Sequence, residues 1–240
     1  MQNAAFAALG LDWTYELLDV PPPELRDVMR RVRAPDCAGA NVTIPHKLAV
    51  MDQLDRVDAE ALRARAVNTI AKEGDLLIGS NTDVAAIGSA IAEVGVDPRG
   101  ADVVILGAGG SARAAAVALD GAHLTFVVRR PNDVDVPGRV LAWDDPDWPG
   151  RVRGADLLLN ATPLGRRDEM PLRPNALPRE GGVVDLVYIK GGTPLVRKAR
   201  SLGLRTADGW GILLAQGALS FETWTGKTAP LEAMRQTLPQ

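Results

Sequence analysis

The pattern of apolar and polar positions predicts strands that alternate with helices, an arrangement typical of a parallel sheet covered by helices on both faces. Up to residue 100 the predicted elements are, in order, a helix over 1–9, a short strand around 14–19, a helix over 23–33, a strand in GANVTI (39–44), a helix near 47–54, a hairpin in VNTIAKEGDLLIGSN (67–81) with Gly74 in its turn, and a helix that Thr82 or Asp83 caps and that runs to about residue 94. The turn-forming residues DPRG (97–100) then mark a domain boundary.

After residue 100 the alternation becomes more regular. The stretch ADVVILGAGGSARAAAVAL (101–119) combines an apolar strand, a glycine-rich turn and an Ala-rich helix. The further predicted elements are strands in HLTFVVRR (123–130), ADLLLNATPLG (155–165) and GGVVDLVY (181–188), and helices in TPLVRKARSLG (193–203), GILLAQGALSFETWTG (211–226) and APLEAMRQTL (229–238). Strands joined by helices predict an α/β fold with a parallel sheet.

Composition and charge exclude several classes of function. The 240 residues are 46% hydrophobic and 24% charged with a net charge of −3, so no basic surface for nucleic acid is predicted. The apolar runs are too short to cross a membrane, and the N-terminus has no signal-peptide pattern. The single cysteine, Cys37, cannot form an internal disulfide, which favours a reducing cytoplasm. His46 and His123 are far apart in sequence, so no Cys/His metal site is predicted.

The sequence GAGGSARA (107–114) gives the strongest indication of a ligand. Gly107, Gly109 and Ala112 have the spacing G-x-G-x-x-A, directly after a predicted strand and at the start of a predicted helix. In a dinucleotide site the first glycine permits a tight turn and the second lets the backbone approach the pyrophosphate. The small third residue lets the helix pack closely on the strand. A glycine-rich turn without a ligand is the alternative.

The end of the next strand indicates which dinucleotide is bound. An NAD site usually has Asp or Glu about 20 residues after the first glycine, whereas this strand ends in Arg129 and Arg130. Arginine favours the 2′-phosphate of NADP, which a carboxylate would repel; two solvent-exposed arginines in a loop are the alternative. A later strand ends in NATPLG (160–165) at the same edge of the sheet, so Asn160 and Thr162 could bond either the cofactor or the loop backbone.

The segment NVTIPHK, which ends at Lys47, is a second candidate site. Asn41 and Thr43 alternate with apolar residues on a predicted strand, so both are expected on one polar face for a small polar ligand. A lysine can exchange a proton with a hydroxyl, and a nearby aspartate can orient its amine. Asp83 in SNTD and Asn68 in AVNT follow similar polar strand ends. Taken alone, however, Lys47 fits a surface residue and Asp83 a helix cap, because sequence spacing does not bring them together.

A set of segments, in the order found here, resembles the shikimate dehydrogenases from residue 1 to about residue 226. The segments are NAAFAALGLDWTYELLDV, GANVTIPHK, ARAVNTI, GSNTD, GAGGSARA, NATPLG, DLVY followed by TPL, and DGWGILLAQGALSFETWTG. The resemblance implies an N-terminal α/β substrate-binding domain over 1–95, a Rossmann domain for NADP over 96–207, and C-terminal helices over 208–240 that pack on the first domain. It also implies reversible reduction of 3-dehydroshikimate to shikimate by NADPH, a step of chorismate and aromatic amino acid biosynthesis.

The resemblance implies a role for each matching residue. Lys47 corresponds to the catalytic lysine and Asp83 to its partner aspartate, both at the hydroxyl whose carbon loses hydride. The residues implied to lie at the substrate are Asn41, which could serve substrate or scaffold, Thr43, Asn68, Tyr188 and Gln216. The residues implied to bind NADP are Gly107, Ala108, Gly109, Gly110, Ser111, Ala112, Arg129, Arg130, Asn160, Thr162 and Gly209. The family's Asn-Arg-Thr triplet reads Val-Arg-Arg at 128–130, so only its arginine is retained.

The sequence departs from the family at its beginning. Shikimate dehydrogenases have a strand and a Ser-x-Ser segment, whose serines hold the substrate carboxylate, ahead of the helix that here contains MQNAAF. Gln2 stands where the family usually has histidine. Without the strand we expect unpaired strand edges and no serine ligands for the carboxylate. A start codon assigned too late and a first domain rebuilt without the strand are both open explanations.

Two alternative functions are kept. One is a quinate/shikimate dehydrogenase or a related paralogue that uses NAD or a different hydroxy acid, although the arginine pair disfavours NAD. The other is a non-catalytic NADP-binding protein that has no substrate site, although the presence of both Lys47 and Asp83 opposes it. A small-molecule substrate, shikimate or 3-dehydroshikimate, is expected as the partner, and the sequence does not distinguish a monomer from a homodimer.

Overall fold

A computed structural model describes residues 1–239 of the protein, apart from the side chain of Pro174. Contacts between residues divide this part of the chain into two compact units, the first formed by 1–84 and 214–239 and the second by 85–213. Both changes of unit fall inside helices, whereas the sequence analysis placed the boundaries in the turns at 95/96 and 207/208. The domain bounds of the sequence analysis stay a prediction.

The chain up to residue 93 contains most of the elements predicted from periodicity, with several additions. The elements are α1 (Gln2–Ala8), α2 (Leu25–Val32), β1 (Gly39–Asn41), β2 (Arg56–Val57), α3 (Ala59–Ala64), β3 (Thr69–Glu73), β4 (Leu76–Ser80) and α4 (Thr82–Glu93). The hairpin is confirmed, with Gly74 at a φ of 62° between β3 and β4. The helix over 1–9, the helix over 23–33 and the helix to about residue 94 are also confirmed.

The strand predicted around 14–19 is wrong, because none of these residues pairs with a strand. The side chain of Asn3, on α1, binds the backbone of this segment instead. Asn3 Nδ2 donates to the carbonyl of Tyr15 at 3.0 Å, and Asn3 Oδ1 accepts from the Tyr15 amide at 2.6 Å. A side chain therefore satisfies the backbone groups that a sheet would otherwise have paired.

Three further predictions need correction. The strand predicted over 39–44 ends at Asn41, so the expected alternation does not continue to Thr43. The helix predicted near 47–54 is a short 3-10 helix at Ala49–Gln53. Neither Thr82 nor Asp83 caps α4, because the helix already begins at Thr82; Asn81 Oδ1 accepts the Asp83 amide at 3.1 Å. The carboxylate of Asp83 is thereby left available for another contact.

The first unit is built on a mixed sheet with the strand order β1-β3-β4-β2. β1 and β4 are both antiparallel to β3, and β2 is parallel to β4. Asn41, the last residue of β1, lies opposite Thr69, the first residue of β3, and Thr69 also lies opposite Ser80 at the end of β4. The polar residues that flank these strand ends therefore gather beside the start of α4.

The second unit contains a regular alternation of strands and helices. Its elements, with the C-terminal helices, are β5 (Asp102–Leu106), α5 (Gly110–Ala118), β6 (His123–Val128), β7 (Arg139–Ala142), α6 (Trp148–Gly154), β8 (Leu157–Asn160), β9 (Gly182–Asp185), α7 (Pro194–Ser201), β10 (Arg205–Ala207), α8 (Gly209–Thr225) and α9 (Leu231–Arg235). The four predicted strands are confirmed. The short strands β7 and β10 were missed, because strands of three or four residues at sheet edges give little periodicity. The helix α6 was also missed.

All strand pairs of the second sheet are parallel, with the order β10-β9-β8-β5-β6-β7. The chain runs outward from β5 through β6 to β7 and then returns to the other side of β5 with β8. The carboxyl ends of β5 and β8 therefore form the point where the strand order reverses, which is the ligand-binding position of open α/β sheets. The predicted Rossmann arrangement is confirmed.

The last part of the chain belongs to the first unit. Phe221 of α8 and Met234 of α9 share a buried apolar cluster with Phe6 of α1. The prediction that the C-terminal helices return to the first domain agrees with these contacts. Among the described residues, no helix is long and apolar enough to span a membrane.

Candidate active site

Lys47 and Asp83 form an ion pair in the first unit. Lys47 Nζ lies 2.5 Å from Asp83 Oδ2, and each side chain is only 12% exposed. The backbone of Lys47 is fixed because its carbonyl accepts the Val67 amide at 2.8 Å, one residue before Asn68. Asp83 lies in the first turn of α4, so the two groups meet beside the start of β3. Lys47 Nζ has no second hydrogen-bond partner in the part of the chain that the structure describes, which leaves donors for a substrate oxygen.

Asn68 holds the other carboxylate oxygen of the pair. Its Nδ2 donates to Asp83 Oδ1 at 2.8 Å and to Thr82 Oγ1 at 3.1 Å, while its Oδ1 accepts the Thr82 amide at 2.8 Å. The Asn68 residue is only 2% exposed. The structure therefore brings Asn68 to the predicted site, but commits its amide to Asp83 and the start of α4.

Asn41 points into the protein and Thr43 does not. Asn41 Nδ2 donates to the Asn68 carbonyl at 3.1 Å and to Ser220 Oγ at 2.9 Å, and its Oδ1 accepts the Tyr15 hydroxyl at 3.1 Å. These contacts favour the scaffold role of the two that the sequence left open. Thr43 lies beyond β1, is exposed, and its hydroxyl has no partner among residues 1–239. Gln216, on α8, is half-buried in the same unit.

The glycine-rich turn has the geometry of a phosphate-binding loop. Gly107 has a φ of 100°, and a Cβ there would lie 3.2 Å from the carbonyl oxygen of Ala161. Gly109 precedes α5, and nothing lies within 4 Å of the Cβ position there. Ala112, in the first turn of α5, is fully buried. The first glycine thus permits a close approach of two loops, and the second leaves open space at a helix N-terminus, as a pyrophosphate requires.

Ala108, Gly110 and Ser111 lie in the same turn. The Ala108 carbonyl accepts from Arg113 Nη1 at 3.2 Å, and Gly110 and Ser111 begin α5. Arg113 therefore braces the turn from the helix that follows it. Roles of these residues in cofactor binding stay predictions.

Arg129 and Arg130 follow β6 and are both exposed. Arg130 Nε lies 3.5 Å from a carboxylate oxygen of Asp133. Arg129 has no ion-pair partner in the described part of the chain. Of the two predicted phosphate ligands, Arg129 is therefore the one whose charge is not already compensated.

The side chains of Asn160 and Thr162 bond their own loop. Asn160 Oδ1 accepts from Thr162 Oγ1 at 2.7 Å and from the Thr162 amide at 3.1 Å, while its Nδ2 donates to the Leu164 carbonyl at 3.0 Å. Asn160 is fully buried. These contacts favour the loop-backbone role that the sequence left open, although the loop itself lies beside Gly107.

Asp185, at the end of β9, is a buried group that the sequence analysis missed. It is 0% exposed and accepts hydrogen bonds from Asn160 Nδ2 at 2.9 Å, the Val187 amide at 3.0 Å and Thr193 Oγ1 at 2.6 Å. Burial raises the pKa of this carboxyl to about 6 despite these three donors. The single acidic residue inside the apolar run GGVVDLVY was the signal that could have revealed it. Asp185 joins the loops that follow β8 and β9.

Tyr188 and Gly209 lie in the same part of the second unit. Tyr188 is 43% exposed and packs against Trp210, with ring centroids 5.1 Å apart. A Cβ at Gly209 would lie 2.7 Å from the Leu186 carbonyl oxygen. Glycine is needed there for the start of α8 to approach the loop after β9, and a contact of Gly209 with the cofactor stays a prediction.

Comparisons with known proteins match both ends of the chain to shikimate dehydrogenase domains. Residues 1–70 match the family described as the shikimate dehydrogenase substrate binding domain, and residues 209–238 match the shikimate 5'-dehydrogenase C-terminal domain. The shikimate dehydrogenase (NADP(+)) of Rubrobacter xylanophilus is 44% identical to this chain over an alignment of 256 positions. The alignment covers 99% of this chain and 89% of that relative. The chain belongs to the shikimate dehydrogenase family. The resemblance seen in the ordered sequence segments is confirmed.

Solved structures of the family share the fold. The shikimate 5-dehydrogenase of Thermus thermophilus, in complex with NADP(H) and shikimate, has a TM-score of 0.85 and 34% identity, and the match covers 98% of this chain and 90% of that one. The 5-ketofructose reductase of Gluconobacter sp., in ligand-free form, has a TM-score of 0.82 at the same identity and the same coverage. The fold therefore occurs in enzymes with different named substrates.

Proposed function

We propose that the protein catalyses the reversible, NADPH-dependent reduction of 3-dehydroshikimate to shikimate. The observation that carries the proposal is the Lys47–Asp83 pair, assembled at 2.5 Å in a chain of this family. A protein that only bound nucleotide would have no need of this ion pair. The same reaction supports a place in chorismate and aromatic amino acid biosynthesis.

Lys47 is proposed to hold the reacting proton. In the reducing direction its Nζ donates a proton to the substrate oxygen, and in the oxidising direction it takes the proton from the hydroxyl. Asp83 accepts one hydrogen of the amine, so that the remaining hydrogens have a fixed direction. Asn68 holds Asp83 in turn. Thr43 and Gln216 are proposed to bond the other substrate hydroxyls.

The second unit is proposed to bind NADP, which supplies the hydride when bound. Gly107 and Gly109 form a turn in which the backbone is open to a pyrophosphate. Arg129 is proposed to pair with the 2′-phosphate, because its charge is otherwise uncompensated in the described structure. Tyr188 is proposed to lie close to the substrate or the nicotinamide.

The proposal is tested by following nicotinamide absorbance with shikimate and NADP, and with quinate and NAD in parallel. Lys47→Ala should lower kcat by about 10²- to 10⁴-fold, the range for loss of a general acid–base group. The affinity for NADPH should be unchanged, because Lys47 and the glycine-rich turn belong to different units.

Lys227→Ala is the matched control, since Lys227 is an exposed lysine in the first unit whose side chain makes no contact with the pair. Its kcat should stay within about twofold of the unsubstituted protein, as for most surface substitutions. Unchanged turnover in Lys47→Ala would contradict the role of the lysine. Binding of NADPH with no turnover of any substrate would support the non-catalytic alternative.

A second candidate function is reduction of a different hydroxy-ketone. The structural match to a 5-ketofructose reductase has the same sequence identity as the match to the Thermus enzyme. This match favours 5-ketofructose as a second candidate substrate. Comparison of kcat/KM for shikimate, quinate and 5-ketofructose would separate the candidates. A preference for 5-ketofructose would leave the roles of Lys47 and Asp83 in place and change only the substrate.

We further propose that substrate binds to 1–95 and 208–240, and NADP to 96–207. The family match over residues 1–70, described as substrate binding, supports the first part. A cytoplasmic location is supported by the single cysteine, Cys37, which has no disulfide partner. Cell fractionation tests the location, and light scattering distinguishes a monomer from a homodimer.

A further inference from the structure

A line of hydrogen-bonded side chains runs through the first unit from Tyr15 to Asp83. The Tyr15 hydroxyl donates to Asn41 Oδ1 at 3.1 Å, and Asn41 Nδ2 lies 3.2 Å from Thr69 Oγ1. The Thr69 hydroxyl donates to Asn68 Oδ1 at 2.9 Å, and Asn68 Nδ2 donates to Asp83 Oδ1 at 2.8 Å. Thr69 and Asn68 are almost completely buried, so water cannot replace a missing partner.

The chemistry of each group fixes the direction of these hydrogen bonds. A carboxylate only accepts, so Asn68 must present its Nδ2 to Asp83 and its Oδ1 to the opposite side. The single hydroxyl hydrogen of Thr69 then points to Asn68 Oδ1, and Thr69 Oγ1 must itself accept a hydrogen bond. Asn41 Nδ2, at 3.2 Å, is one group that can supply it, and Ser220 Oγ, at 2.9 Å and itself an acceptor from Asn41 Nδ2, is the other. The donors therefore run in one direction along the whole line.

Ser220 and Tyr15 fix the orientation of the Asn41 amide. Ser220 Oγ accepts from Asn41 Nδ2 at 2.9 Å, and its hydroxyl hydrogen can go to the Gln216 carbonyl or to Thr69 Oγ1, each 2.9 Å away. The Tyr15 hydroxyl donates to the oxygen end of the amide, and burial raises the pKa of this phenol, which keeps it a neutral donor. A residue of α8 and a residue after α1 thus hold Asn41 from two sides.

We propose that Asn41 and Thr69, supported by Tyr15 and Ser220, are positioning residues that fix the Asn68 amide and, through it, the Asp83 carboxylate against Lys47. The proposal rests on the proposed role of Lys47 and Asp83 in the reaction. Asn68 has a second anchor, since its Oδ1 also accepts the Thr82 amide at 2.8 Å. Loss of Thr69 should therefore loosen the amide rather than release it, with a smaller effect than loss of Lys47.

The matched pair Thr69→Val and Thr69→Ser tests the line. Valine has the shape of threonine without the donor, whereas serine keeps the hydroxyl. We expect kcat to fall about tenfold in Thr69→Val, because the buried hydrogen bond from Thr69 Oγ1 to Asn68 Oδ1 is lost. It should stay within about twofold in Thr69→Ser, which retains that bond. The KM for NADP should not change in either variant.

Asn41→Asp tests the direction of the line. An aspartate has no donor, so it would draw the Thr69 hydroxyl away from Asn68 without removing any volume. A positioning role predicts a lower kcat with the KM for shikimate within about twofold, because only transition-state stabilisation is lost. A raised KM at unchanged kcat would instead show that Asn41 binds substrate, and would overturn the proposal.

Controls separate positioning from loss of stability. Thr225→Val removes another hydroxyl of the first unit, which donates to the Phe221 carbonyl at 2.8 Å outside the line, and it should leave kcat unchanged. If Thr69→Val fails to fold, Tyr15→Phe takes its place as the test. It removes the outermost donor without altering the buried core, and it should lower kcat by a smaller factor. An equal loss in Thr69→Ser and Thr69→Val, or no loss in Thr69→Val and Asn41→Asp, would overturn the proposal.

Crystal structures of the two Thr69 variants give a readout that does not need turnover. Asn68 and Asp83 should change position in Thr69→Val and stay in place in Thr69→Ser. Unmoved side chains in Thr69→Val would overturn the proposal. Failure of the proposed function has a different signature, since it appears as unchanged activity in Lys47→Ala whatever the Thr69 variants do.

Discussion

Replacing Asp185 by asparagine should remove a pH dependence of stability that the buried carboxyl imposes on the second unit. The carboxyl is completely buried, and burial outweighs the hydrogen bonds from Thr193, Val187 and Asn160. The negative charge of Asp208 adds to the effect of burial. Together they raise the pKa of Asp185 from 3.8 to about 6.

The folded protein therefore binds a proton at Asp185 more tightly than the unfolded chain does. The contribution of this group to stability is fully present below pH 3.8, falls as the pH rises, and is lost above the folded pKa of about 6. The complete change corresponds to about 3 kcal/mol. Between pH 5 and pH 7 the expected loss is about 1 kcal/mol.

The assay is urea unfolding of the unsubstituted protein and of Asp185→Asn at pH 5, 6 and 7, at constant ionic strength. The difference in unfolding free energy between the two should change by about 1 kcal/mol across this range, with the unsubstituted protein losing stability as the pH rises. Thr193→Val removes a donor that favours the ionised form, so it should raise the pKa of Asp185 further, whereas Thr193→Ser should not.

Carbon-13 NMR of the Asp185 carboxyl measures the pKa of this group directly. A titration midpoint near 6 is expected. A midpoint below about 4.5, within the range of ordinary aspartates, together with an unchanged stability difference between pH 5 and pH 7, would refute the reasoning. The hydrogen bonds would then outweigh the cost of burying the charge.

Two further predictions concern the cofactor loops. Arg129→Ala should raise the KM for NADP about tenfold or more, as for loss of a charged hydrogen bond, with little change in the KM for NAD. Arg130→Ala should have a smaller effect, because Arg130 already pairs with Asp133. Steady-state kinetics with both cofactors checks these expectations. Gly107→Ala should cost about 1–3 kcal/mol of stability because φ is 100° there, whereas Gly109→Ala should weaken NADPH binding without loss of stability. Urea unfolding and NADPH fluorescence distinguish the two; equal stability losses would contradict this account.

The sequence by itself determined the two α/β parts, the glycine-rich turn and the residue types of the proposed catalytic pair. Period-two and helical patterns depend on neighbouring residues, so they predicted β3, β4, α4 and the strands around Gly107. Prediction from neighbouring residues failed where a side chain distant in sequence bonds the backbone in place of a neighbouring strand. The segment 14–19 has the composition of a strand, but the side chain of Asn3 pairs with its backbone.

Only the tertiary structure decided which polar residues turn into the protein and which stay exposed to solvent. Asn41 and Thr43 look equivalent in sequence, yet Asn41 turns inward to Ser220 and Thr43 stays exposed. Lys47 and Asp83 meet because β3 lies between their segments. A buried polar group must find its partners wherever the fold supplies them, and those partners are far away in the sequence. No pattern of neighbouring residues encodes that choice.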